Sequence, residues 1–151
     1  MKIEKASIKD TKLVKHITQA TIRAVYPHYY PEGAVDFFSA HHSDERIISD
    51  IEQGRVYLIF HGEIAVGTVT VADNEINRLF VLQEYQGQGF GRALMDFAEK
   101  EIACRYDEIK LDASLPAKAI YKNRGYEEIS YNMIKTDNGD YLCYDEMVRK
   151  I

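Results

Sequence analysis

Apolar and polar positions alternate through "IEKASI", residues 3–8, as they do on a half-buried strand. Leu13, Val14, Ile17, Ala20, Thr21 and Ala24 then recur at the three-and-four spacing of one helix face, and Asp10 or Thr11 stands where that helix needs a cap. Pro27 and Pro31 in "YPHYYPEG" break it. A second helical stretch is expected around Ala34 to Phe38. A third is expected from Ser43 to Ile51, with Gly54 to end it. The apolar runs "RVYLIF" and "EIAVGTVTVA" flank His61 and Gly62 and read as a hairpin, and "EINRLFVL" is a further strand. A helix starts inside "EYQGQGFGRALMDFAEK" and runs to about Tyr106. The strand "EIKLDAS" follows, then a short helix in "LPAKAIYKNRGY", with Pro116 near its start and Gly125 past its end. "EEISYNMI" and "YLCYDEMVR" bracket the turn signal "TDNGD".

This order implies a mixed α/β (α+β) sheet, mostly antiparallel early, with a crossover around the glycine-led helix. At 151 residues the chain is expected to be one domain, 1–151. An apolar fraction of 46% against 28% charged residues supports a core that needs no staples. The net charge of −5 argues against phosphate-backbone binding, so nucleic acid is not an expected partner. "MKIEKASIKD" has no apolar stretch behind its lysines, and no run reaches the roughly 18 residues of a membrane span, so neither export nor a membrane partner is expected. Cys104 and Cys143 match no paired pattern, which favours a reducing cytoplasm and free thiols.

Gly87, Gly89 and Gly91 alternate at the point where a helix begins. Bare backbone at a helix start presents free N–H groups to an anion, most often a phosphate. No Lys-Ser or Lys-Thr follows, which excludes the common nucleoside-triphosphate loop. The order GxGxG, past mid-chain, does not fit the dinucleotide fingerprint GxGxxG. The residues Gln86-Gly87-Gln88-Gly89-Phe90-Gly91, after a strand ending "RLFV", resemble the Q/R-x-x-G-x-G/A signature of the GNAT acetyltransferase superfamily. "ASLPAKAIYKNRGYEE" resembles that superfamily's next motif through Tyr121, Gly125 and Tyr126, and the element order fits the same fold over nearly the whole chain.

The resemblance implies a GNAT-type central sheet, mostly antiparallel and flanked by helices. It implies acetyl-CoA as co-substrate and transfer of acetyl to a primary amine, either a small molecule or a peptide amine, by direct attack in a ternary complex. It gives the pyrophosphate to the loop Gln86, Gly87, Gln88, Gly89, Phe90, Gly91 and Arg92, and the pantetheine arm to the main chain of Phe80 and Val81. Ser114 stands where many relatives carry Asn, so its contact to that arm is expected to differ. Tyr121 takes the place of the acid for the departing thiolate and also touches the cofactor. Glu75 is the candidate base, six residues before Val81. A non-catalytic acyl-CoA-binding module of the same fold is the alternative.

Tyr26, Tyr29 and Tyr30 lie where relatives shape the acceptor pocket, and aromatic rings suit a cationic or apolar acceptor. The region carries no specific motif, so the acceptor is not legible, and a homodimer is one state open to the chain. His28, His41 and His42 lack metal-ligand spacing and read as surface histidines, and no metal is expected.

Overall fold

The computed structural model describes all 151 residues. Seven strands form one sheet: β1 (Lys2–Lys5), β2 (Val56–His61), β3 (Ile64–Ala72), β4 (Glu75–Val81), β5 (Glu108–Ala113), β6 (Glu127–Lys135) and β7 (Tyr141–Lys150), in spatial order β1-β2-β3-β4-β5-β7-β6. Every neighbouring pair is antiparallel except β4 and β5. Those two are joined by the helix α4 (Phe90–Ala103), the crossover that a parallel pair requires. The mixed, mostly antiparallel sheet read from the sequence is therefore present.

The strand β2 shows how each face is filled. Leu58 points into a core with the helices α1 (Thr11–Val25), α2 (Glu32–His41) and α3 (Asp44–Glu52), while Ile59 points into another beneath α4 and α5 (Lys118–Asn123). The period of two in an apolar run thus feeds two layers of helix on opposite faces. Gly67 of β3 lets α4 pack close, because an added Cβ there would stand 2.9 Å from Ile59 and 3.1 Å from Leu94.

Several element ends differ from expectation. "IEKASI" stops being a strand at Lys5, because the Ser7 N–H donates to Asp10 Oδ2 at 2.8 Å and folds the chain into a short 3-10 turn. The same carboxylate therefore does not cap α1, although Asp10 occupies the cap position. The second helix is longer than its apolar positions suggest and begins at Glu32, directly after Pro31. The glycine-led helix ends at Ala103 rather than Tyr106, and the helix bearing Tyr121 starts two residues after Pro116.

Candidate active site

The strands β4 and β5 pair only at Glu75–Lys110 and Ile76–Leu111. Beyond Ile76 they run on without each other, and the sheet opens. A bulge in β4 marks the divergence: one β3 residue, Val69, stands against Arg78 and Leu79. Arg78 adopts φ 47°, a left-handed value that costs a non-glycine residue about 1–3 kcal/mol. Its buried guanidinium is fixed by Asp50 at 3.0 Å, Thr70 Oγ1 at 3.0 Å and His42 Nδ1 at 3.3 Å, contacts that hold the strained backbone. After the bulge the Leu82 N–H donates to Val66 O on β3 at 2.9 Å. By strand alternation the Val81 N–H and C=O then face the opening. The Val81 carbonyl accepts from Gln86 Nε2 at 2.9 Å and from Thr21 Oγ1 at 3.3 Å.

The glycine loop closes one end of this opening. Gly87 and Gly89 have φ 74° and 93°, and a Cβ on Gly87 would meet nothing, so the need there is for backbone conformation rather than space. Gly89 caps α4 without a side chain, which leaves the N–H groups of Phe90, Gly91 and Arg92 as first-turn donors outside the helix ladder. The Phe90 ring is buried against His61 and Tyr85 and anchors the helix start. Gln86 ties the loop back to Val81, and Gln88 Nε2 donates to Glu84 O at 3.1 Å. Arg92 is exposed beside them. The loop therefore turns its side chains to bracing and its backbone donors outward.

Within the opening is a cavity of about 220 Å³, walled by Tyr26, Phe38, Phe80, Tyr121 and Tyr144, with Ser114 at its edge. Tyr121 is delivered by α5. Arg124 at the end of that helix donates to Glu99 on α4 at 3.0 and 2.8 Å, and Gly125 in the left-handed region turns the chain so that Tyr126 meets Tyr121 edge-on at 5.8 Å. Burial, reinforced by the nearby Tyr26 phenol, raises the Tyr121 hydroxyl well above its ordinary value, so it keeps its proton at any physiological pH. Burial also raises Tyr26, while a hydrogen bond with Ser114 pulls it the other way.

The three tyrosines named for the acceptor separate. Tyr26 lines the cavity. Tyr30 lies behind it, accepting from the Leu115 N–H at 2.7 Å and donating to Cys143 O at 3.2 Å, and so pins the β5–α5 turn to β7. Tyr29 is 52% exposed and does not line the cavity.

A polar cleft continues outward from the cavity, and the two share His41, His42, Asn77, Arg78 and Asp112. Glu75 lines this cleft and not the aromatic cavity. Its carboxyl is raised by burial, then by Asp112 and Glu146, with Lys110 opposing. His28 and His41 are exposed, as expected, but His42 is half-buried. It packs edge-on against Phe80 at 5.6 Å, and burial with the Arg78 charge pushes its pKa down to about 3. An arginine can only donate, so the Arg78–Nδ1 contact fixes His42 as the neutral Nε2–H form. The histidines offered no chemical spacing in the sequence, but an arginine inside the apolar run "EINRLFV" was a signal of a built polar site.

A family model described as an acetyltransferase (GNAT) domain matches residues 25–139. The chain belongs to the GNAT acetyltransferase family. An uncharacterized N-acetyltransferase of Shouchella clausii is 26% identical over 142 residues, covering 83% of each chain. This GNAT protein also shares its fold with a GCN5-related N-acetyltransferase of Rhodopseudomonas palustris, at TM-score 0.89 and 22% identity over 99% of this chain and 95% of that one. It is similar as well to the PaiA N-acetyltransferase of Thermoplasma acidophilum, solved with coenzyme A, at TM-score 0.72 and 19% identity over 99% of this chain and 98% of that one. No helix of this GNAT chain is long and apolar enough to cross a membrane.

Proposed function

We propose that the protein is an N-acetyltransferase that moves acetyl directly from acetyl-CoA to a primary amine. The observation that carries this reading is the placement of a glycine-lined helix N-terminus at the mouth of a split between two parallel strands. An anionic diphosphate suits the donors of Gly87 to Arg92. An amide-bearing arm suits the edge of β4 at Val81, which β5 has left unpaired. The same alternation turns the main chain of Phe80 to β3, so Phe80 offers the arm its ring and not the backbone groups expected of it. The related protein solved with coenzyme A supports the same co-substrate.

On this reading the amine lone pair attacks the thioester carbonyl carbon. A main-chain N–H at Val81 stabilises the charge that grows on the carbonyl oxygen. The C–S bond then breaks as the nitrogen, cationic since the attack, loses a second proton to water of the polar cleft. Tyr121 gives its proton to the departing thiolate and takes one back from solvent. An alkylamine of pKa ~10.4 arrives protonated and must first lose a proton. Glu75, raised above an ordinary glutamate, is the base, and its place in the polar cleft calls for water between it and the amine. The cleft thus serves as the proton exit and the aromatic cavity as the acceptor seat, with Tyr26 on its wall.

Thiol release measured with acetyl-CoA and a panel of amines tests the reading. Turnover with at least one primary amine, lost in Gly89→Glu, is the expected result. Coenzyme A binding without turnover on any amine would instead indicate an acyl-CoA-binding module.

A further inference from the structure

The two edges of the sheet are built differently. β1 has four residues, and three of them, Lys2, Glu4 and Lys5, are exposed and charged. Short charged strands are the usual protection of a sheet edge. β6, at the other edge, has nine residues and no proline. Its pairing with β7 puts Tyr131 opposite Asp145 and Met133 opposite Cys143, on one face. Tyr131 is 60% exposed and Met133 59%, and Ile129 and Tyr141 beside them are also open. A long apolar edge with unpaired backbone groups is a template for another strand.

We propose that β6 is the interface of a homodimer, in which the β6 strands of two copies pair antiparallel about a two-fold axis at Asn132 and continue the sheet. Charge selects the direction. Glu127 and Glu128 stand at the start of β6 and Lys135 at its end, so antiparallel pairing sets the acidic end of one copy on the basic end of the other. Parallel pairing would set like on like. The bulge selects the register. Between Glu128 and Ser130 the β6–β7 ladder skips a residue, so Glu128 takes the slot that an unbroken strand would give to Ile129. With the axis at Asn132, Tyr131 of each copy then faces Met133 of the other, and Lys135 faces Glu128. A thioether against an aromatic ring is a favourable pair, and two asparagine amides on the axis can bond one another. The same strand carries Ile134 into the wall of the aromatic cavity, so dimerisation would stiffen the hairpin that closes it.

Sedimentation equilibrium on the whole chain tests the state, with thermal melts to confirm folding. The wild type is expected to dimerise at micromolar concentrations. Tyr131→Lys and Met133→Lys should each raise the dissociation constant at least about tenfold, because each replaces the apolar Tyr131–Met133 contact across the interface with a charge. Ile64→Lys, at an equally exposed apolar position on the β2–β3 hairpin, should leave it unchanged. In a background lacking Cys104 and Cys143, Asn132→Cys should form a disulfide-linked dimer on mild oxidation and Ser130→Cys should not. Residues facing each other across the axis lie within disulfide reach, whereas a second pair two positions away does not. A monomer at high concentration, a dimer indifferent to both lysine substitutions, or a dimer in which Asn132→Cys fails to cross-link would each overturn the proposal.

Discussion

At the scale of single residues, Tyr121 and His42 mark the two limits of what a sequence can reveal. Tyr121 is legible because its placement is local: the glycine four residues on ends α5, and the turn sets Tyr126 edge-on to the same ring. Its raised pKa keeps the proton on the hydroxyl and rules out a base, and it also makes the hydroxyl a weaker acid than an ordinary tyrosine. Tyr121→Phe should therefore lower kcat by about 10–100-fold and leave coenzyme A affinity within about twofold, as separate rate and calorimetric titrations would show. His42 is illegible because the residues that bury it, Arg78 and Phe80, lie far away in the chain. Its pKa near 3 in the folded protein is below the ordinary value of 6.5. The unfolded chain thus takes up a proton that the native one refuses. This stability is fully present above pH 6.5 and is lost as pH falls towards 3, on the order of 3 kcal/mol by pH 4. Urea melts of His42→Gln between pH 4 and 7 should show a flatter pH dependence than the wild type.

At the scale of elements, the hydrophobic period found every strand and the long helices, and it failed where a polar contact overrode it. The 3-10 turn after β1 is made by Ser7 and Asp10, and no alternation foretells it. The split between β4 and β5 is the larger omission. "EINRLFV" reads as one strand, but the bulge at Arg78 depends on Asp50 from α3 and Thr70 from β3. The β6–β7 turn offers a test of how elements close the site. The Gly33 N–H donates to Asp140 Oδ2 at 2.9 Å, and an added Cβ on Gly33 would overlap the Asn138 side-chain oxygen. That contact seats the turn on the start of α2, next to a cavity walled from both elements. Gly33→Ala should cost about 1–3 kcal/mol by overpacking and raise KM for the amine more than for acetyl-CoA. Adding Asn138→Gly should restore most of both, whereas an unrepaired double variant would place the effect elsewhere.

At the scale of the whole molecule, the sheet is two blocks, β1–β4 and β5 with β7 and β6, joined by only two residue pairs. The rest of the joint is side-chain packing: α4 covers both blocks on one face, and Tyr30 reaches from the α1–α2 turn to Leu115 and Cys143 on the other. A ligand lying along Phe80 and Val81 with its diphosphate on the α4 N-terminus would supply the hydrogen bonds that β5 does not. It would therefore act as a missing strand, and its effect would reach beyond its own contacts. At a hundredfold excess over its dissociation constant, coenzyme A should add about 2.7 kcal/mol to stability. For a chain of this size that corresponds to a rise in Tm of roughly 5–11 °C. Hydrogen exchange gives the sharper reading. Protection should appear at Val81 and at the amides of Gly87 to Arg92, and should spread to β5 and to α5 around Tyr121. Calorimetric stabilisation with protection confined to the glycine loop would mean that the ligand is held by its phosphates alone and leaves the two blocks as loosely joined as before.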